Sequence, residues 1–160
     1  MARIVVAGGS LGGLMAANLL ARAGHAVTVL ERAAGALDGR GAGIVTHTAL
    51  VEGLRRCGMP EGTSLGVGVP GRITLAASGE VLGELAMPQV LTSWGRLWQL
   101  LRDLLPEGAQ YRGGVAVEGA HDDGERVVVA TSAGPLEADL LVGADGIRSV
   151  LRRQLWPQVE

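Results

Sequence analysis

A chain of 160 residues with 48% apolar content can bury one domain-sized core, and a formal charge of −2 leaves no basic face for nucleic acid. The single cysteine, Cys57, excludes an internal disulfide and fits a reducing compartment, so the expected location is cytoplasmic, and no apolar run reaches the length of a membrane span. All fourteen basic residues are arginine; without lysine there is no P-loop, no Tyr-x-x-x-Lys pair and no Schiff-base chemistry.

The chain opens on a strand rather than on a signal sequence: Arg3 to Gly8 is a short β-branched apolar run. The cluster Gly9-Ser10-Leu11-Gly12-Gly13 follows, and the Ala- and Leu-rich segment Leu14 to Ala23 predicts a helix. A second apolar run, Ala26 to Leu30, closes a βαβ unit and ends on Glu31. Turn glycines at a helix N-terminus let a pyrophosphate approach unpaired N–H groups and a partial positive charge. An acid about 20 residues further on suits a ribose hydroxyl pair. The pattern G-x-G-x-x-G requires glycine at 8, 10 and 13, and Ser10 occupies the middle position. Its side chain narrows the approach but adds a hydroxyl that can donate to a phosphate oxygen. A turn that merely packs helix on strand would leave Glu31 without a purpose.

Arg32 to Ile44 is glycine-rich with no hydrophobic period and reads as irregular. Thr48 to Cys57 predicts a helix with Leu50, Leu54 and Cys57 on one face, stopped by Gly58 and Pro60. Gly62 to Gly71 reads as loop, and Ile73–Ala77 with Val81–Leu85 as a hairpin. Ser93 to Leu105 is the clearest helix, with Ser93 as N-cap, a core stripe of Leu97, Leu100, Leu101, Leu104 and Leu105, and Pro106 as the stop. Tyr111–Val117, Val127–Thr131 and Leu136–Ala138 predict an antiparallel meander. Leu140 to Gly143 predicts a buried parallel strand, and Gly143-Ala144-Asp145-Gly146 turns into a last helix, Ser149–Leu155. A βαβ unit, an irregular crossover, a meander and a returning strand together favour a flavin-type variant of the nucleotide-binding fold over a plain dehydrogenase.

Three motifs carry a resemblance. They are Val6-Ala7-Gly8-Gly9-Ser10-Leu11-Gly12-Gly13-Leu14 with Glu31-Arg32, the loop Gly41-Ala42-Gly43-Ile44, and Gly143-Ala144-Asp145-Gly146-Ile147-Arg148-Ser149. On these the chain resembles the FAD-dependent aromatic-ring hydroxylases related to para-hydroxybenzoate and salicylate hydroxylase, most of all their 2,6-dihydroxypyridine hydroxylase branch. The resemblance implies an α/β, Rossmann-like FAD-binding fold in three layers, a parallel sheet with an antiparallel β-meander, lacking the C-terminal part of the family fold. Residues 1–160 would be the FAD-binding domain, with 62–92 the start of an incomplete substrate-domain sheet and 111–138 the meander.

Carried over residue by residue, the resemblance places the FAD pyrophosphate on Gly8, Ser10, Leu11 and Gly13, in the turn that also holds Gly9 and Gly12. Glu31 would take the adenosine ribose and Arg32 would lie beside the adenine, which Val117 would touch through its main chain. Arg40, Gly41, Ala42, Gly43 and Ile44 would follow the pyrophosphate toward the flavin, and Asp145 and Gly146 would touch the ribityl–pyrophosphate region. The implied reaction is hydroxylation of a small aromatic or N-heteroaromatic ring through a flavin hydroperoxide, with NADPH or NADH as reductant. It calls for no catalytic side chain, metal, membrane or nucleic-acid partner. His47 is either a flavin or substrate residue or a helix start; His25 and His121 read as solvated turn residues. Two departures stand out: Trp94 holds a position where many relatives carry Arg or Gln, with Arg96 on another helical face, and family members are much longer. The chain is therefore expected to be incomplete for catalysis, with self-association or a missing C-terminal half as its partner. The alternatives are an NAD(P)-binding Rossmann oxidoreductase or regulatory module, and a non-catalytic truncated nucleotide-binding module.

Overall fold

The structure is a computed structural model that describes residues 1–35, 37 and 42–159. At its centre lies β1 (Arg3–Ala7), buried from Ile4 onward because parallel strands flank it on both sides. These are β2 (Ala26–Glu31) and β10 (Leu140–Gly143). β6 (Gln110–Gly113) pairs parallel with β2, giving the order β10-β1-β2-β6. The last predicted strand thus returns beside the first, as the sequence implies.

Side-chain alternation splits β1 between two layers. Ile4 and Val6 join Val27 and Val29 beneath α1 (Leu11–Arg22), which contributes Ala17. Val5 and Leu30 face the other way, onto Val129 and Ala138 of a meander. Its strands are β7 (Val117–Asp122), β8 (Val127–Thr131) and β9 (Leu136–Ala138). Helices, parallel sheet and meander are the three layers. α1 ends in a Schellman motif: Gly24 at φ +87° donates to the Ala21 carbonyl and His25 to that of Leu20. α2 (Thr48–Arg56) and α3 (Trp94–Asp103) close a second core with α1 around Leu14, Leu54, Leu97 and Leu101. Ser93 caps α3, its Oγ accepting from the Arg96 amide, as its position predicts. α4 (Val150–Leu155) lies against the meander through Leu151 and Ala120. No helix among the described residues is long and apolar enough to cross a membrane.

Two stretches differ from the sequence reading. Tyr111 to Val117 is not one meander strand. Gly114, at φ +78°, breaks it, and its amide turns to the Ala33 carbonyl while Val115 donates to Glu31. The part before the break joins the parallel sheet, and the meander spans 117–138 rather than 111–138. The second difference concerns the Gly/Pro-rich stretch read as loop, which enters a separate antiparallel sheet. That sheet has the order β3-β5-β4, with β3 (Gly43–Val45), β4 (Val67–Leu75) and β5 (Val81–Ser93). Pro70 is accommodated because β4 is an edge strand whose register shifts between Val69 and Gly71.

Leu14 joins α1 to α2 and α3 and is fully buried. Leu14→Ala should lower unfolding stability by about 2–5 kcal/mol, whereas Leu19→Ala on the exposed face of the same helix should change it by about 0.5 kcal/mol or less. Urea unfolding curves compare the two directly; equal losses would contradict this packing.

Candidate functional site

A cleft of about 330 Å³ opens where β1, β2 and β10 end. The helices that follow β1 and β10 lie on opposite faces of the sheet here, at the carboxyl ends of the strands, which is where open parallel sheets bind ligands. Gly8 and Ser10 form its floor, Glu31 and Arg32 one wall, and Ala144 to Gly146 the wall opposite.

The floor needs its glycines for different reasons. Gly8 sits at φ +106°, and a Cβ there would strike the Ala144 carbonyl, so the β1–α1 turn packs directly on the β10–α4 turn. A Cβ on Gly13 would strike the Gly8 carbonyl, so the first turn of α1 packs on the bend. Gly12 meets open space and carries no such constraint.

Ser10 is the N-cap of α1, yet its hydroxyl bonds no helix amide, and the first turn holds no acidic residue. Among the described residues, the amides of Ser10, Leu11, Gly12 and Gly13 donate to no carbonyl or side chain. Among the described residues, a 12-residue helix therefore presents the positive end of its dipole, open N–H groups and a hydroxyl that caps no amide toward the cleft. A diphosphate is the chemical complement of that set.

Glu31, only 9% exposed, closes β2 beside this turn. Its Oε2 accepts from the Gly9 amide at 2.8 Å and its Oε1 from the Ala33 amide at 2.9 Å. Each carboxylate oxygen keeps a lone pair for a further donor such as a ribose hydroxyl. Arg32 and Arg148 stand exposed at the rim. The Asp145 carboxylate is already committed: it accepts from Ser149 Oγ at 2.6 Å and from the Val150 amide at 2.8 Å, fixing the start of α4.

Of the predicted site residues, Gly8, Ser10, Glu31, Arg32, Val117, Asp145 and Gly146 come together around this cleft. Gly9 is buried beneath the turn and Leu11 packs toward the helical core. Ala42, Gly43 and Ile44 do not line the cleft. Ala42 accepts from the Trp94 amide, and Gly43 and Ile44 pair with Ser93 and Thr92. Arg40 and Gly41 lie outside the described residues. Trp94 lines the cleft, while Arg96 is held elsewhere, donating to the Leu65 and Ser64 carbonyls. His47 is a helix start: its Nδ1 accepts from the Leu50 amide at 3.2 Å.

Sequence reasoning assigns nothing to Arg148, Val115 or Ala116, which also line the cleft. Arg148 stands inside a quoted motif, so a signal was there; the other two carry none. Trp98 was also missed. It falls among the core leucines, but its indole Nε1 donates to the Gly9 carbonyl at 2.9 Å, and a buried indole N–H needs such a partner. Tyr111 reaches the same carbonyl. Burial, and then the charge of Glu31, pushes its phenol above the usual tyrosine range.

The model of the family described as FAD binding domain matches residues 1–160. The 2,6-dihydroxypyridine 3-monooxygenase of Paenarthrobacter nicotinovorans is 36% identical over 159 residues, 96% of this chain and 38% of that protein. The aurachin C monooxygenase/isomerase of Stigmatella aurantiaca is 32% identical over 163 residues, 95% of this chain and 42% of that protein. Among solved structures, 2,6-dihydroxypyridine-3-hydroxylase from Arthrobacter nicotinovorans aligns with a TM-score of 0.85 at 35% identity, covering 98% of this chain and 40% of that one. The chain thus spans about two fifths of the length of these relatives.

Tyr111 is the sole tyrosine, so tyrosinate absorbance reports it alone. Its midpoint in the folded chain should lie above that of the chain in denaturant. A raised value favours the neutral phenol when folded, so this stabilisation is present below the ordinary tyrosine range of about pH 10 and is lost as pH rises through the folded midpoint. Equal midpoints would contradict the burial.

Proposed function

This chain belongs to the FAD-binding domain family, and from that premise we propose that it is the FAD-holding part of a flavin-dependent, NAD(P)H-using aromatic-ring monooxygenase. The observation that carries the proposal is the open N-terminus of α1 above the Gly8–Gly13 turn, with the Glu31 carboxylate beside it. The Ser10 and Leu11 amides and the Ser10 hydroxyl hold the cofactor's pyrophosphate on a bend kept tight by the packing of Gly8 and Gly13. Glu31 takes the adenosine ribose. Arg32 and the main chain at Val117 flank the adenine. The main chain at Asp145 and Gly146 supports the ribityl side, since the Asp145 carboxylate is occupied by α4.

Bound FAD supplies hydride acceptance and oxygen activation; position, polarity and exclusion of water are left to the protein. For the ring, relatives named for hydroxypyridines support an N-heteroaromatic substrate. Hydroxylation belongs to a protein of the relatives' length, and cofactor binding to this chain. Exposed Ile73, Leu82 and Leu85 in β4 and β5 support the reading that further polypeptide covers this sheet in the whole protein.

Titrating the chain with FAD and with NADH tests the assignment. FAD should bind more tightly, and Glu31→Ala should weaken it by about 1.5–3 kcal/mol, roughly ten- to a hundredfold in Kd, by removing a charged hydrogen-bond acceptor. Tighter NADH binding, or an unchanged FAD affinity in Glu31→Ala, would contradict it.

A further inference from the structure

The peptide groups on either side of Gly9 are held from three separate elements. The Gly9 amide donates to Glu31 of β2 at 2.8 Å. The Gly9 carbonyl accepts from Trp98 of α3 at 2.9 Å and from the Tyr111 hydroxyl of β6 at 3.4 Å. Gly9 is buried, so water does not compete for these bonds.

The two aromatic donors are fixed in turn. Trp98 is 4% exposed and stacks on Trp94 with ring centroids 6.5 Å apart. Tyr111 meets Trp98 edge-on at 6.4 Å, and the Arg102 guanidinium lies 3.8 Å from the Tyr111 ring centroid. The fit around Gly9 is close: a Cβ there would collide with the hydroxyl end of Tyr111.

A trans peptide unit is rigid and planar, so the Gly9 carbonyl and the Ser10 N–H point in opposite directions. Holding the carbonyl on Trp98 therefore aims the Ser10 amide away from the aromatic pair. Ser10 lines the cleft; Trp98 and Tyr111 do not. The preceding peptide unit is pinned as well, through the Gly9 amide on Glu31. Two successive planes of the turn are thus set before any ligand arrives, which removes an ordering cost from binding.

The geometry points to Trp98, with Tyr111 as the weaker second donor, as positioning residues that orient the Ser10 amide for the cofactor's pyrophosphate. This role rests on the FAD reading above. Neither residue touches the cofactor; both act through the Gly9–Ser10 peptide.

Trp98→Phe keeps a buried ring and removes the indole N–H, and Tyr111→Phe removes the hydroxyl. In the 160-residue chain, flavin fluorescence gives the Kd for FAD, and amide hydrogen exchange of the ligand-free protein reads the rigidity of the turn at the buried Gly9 amide. Trp98→Phe should raise the Kd about tenfold, as expected for one lost buried hydrogen bond, and the double variant should raise it further. Exchange at the Gly9 amide, which is buried and bonded to Glu31, should quicken about tenfold without ligand as the turn loses its second anchor. Ile4→Val, a core variant toward the opposite end of β1 from the turn and compared at a similar loss of Tm, should keep the Kd within about twofold. If the parent binds FAD and the double variant binds it equally well, the positioning role falls and the FAD reading stands. Unchanged Gly9 exchange in the double variant also overturns the role. If the parent binds no FAD, the reading falls and takes the role with it.

Discussion

A helix N-terminus inside a packed domain is a constraint before it is a function: its first amides have no carbonyl partners of their own. Here the end of α1 meets that constraint by opening onto a cleft rather than by capping. Ser10 stands at the cap position with its hydroxyl bonded to no helix amide, and no acid in the first turn neutralises the dipole. The surrounding architecture keeps this end open yet rigid. Gly8 packs on the Ala144 carbonyl and Gly13 on the Gly8 carbonyl, so the bend can neither slide nor fill with a side chain.

Other groups near the turn work inward. Asp145 spends both oxygens on α4, and Ser149 links that carboxylate to the Arg152 amide. Glu31 joins the second strand to the bend through Gly9 and to the following segment through Ala33. It is structural already, and it keeps acceptor capacity beside the open start of α1. Negative charge beside a site for a diphosphate is tolerable only if it meets another part of the ligand, which is why the sugar hydroxyls, rather than the phosphates, suit this carboxylate.

The first βαβ unit was legible because every local cue agreed: a β-branched run, glycines at the turn, an Ala/Leu helix and an acid at the next strand end. The return of Leu140–Gly143 to the parallel sheet was legible from its apolar continuity. What the sequence hid depends on distant partners. Gln110–Gly113 resembles a meander strand until Gly114 turns the chain, and only the free edge of β2 decides where it pairs. The Val67–Leu75 strand was masked by its glycines and Pro70, which an edge strand with a register shift accommodates. Trp98 sits in a leucine stripe, and its task is fixed by a carbonyl 89 positions earlier in the chain, beyond any local pattern.

A crystal structure of the chain with FAD bound tests the central claim most directly. The account predicts the pyrophosphate within hydrogen-bond distance of the Ser10 and Leu11 amides, and the adenosine ribose on Glu31. A pyrophosphate bound away from the start of α1, or a ribose that leaves Glu31 untouched, would contradict it.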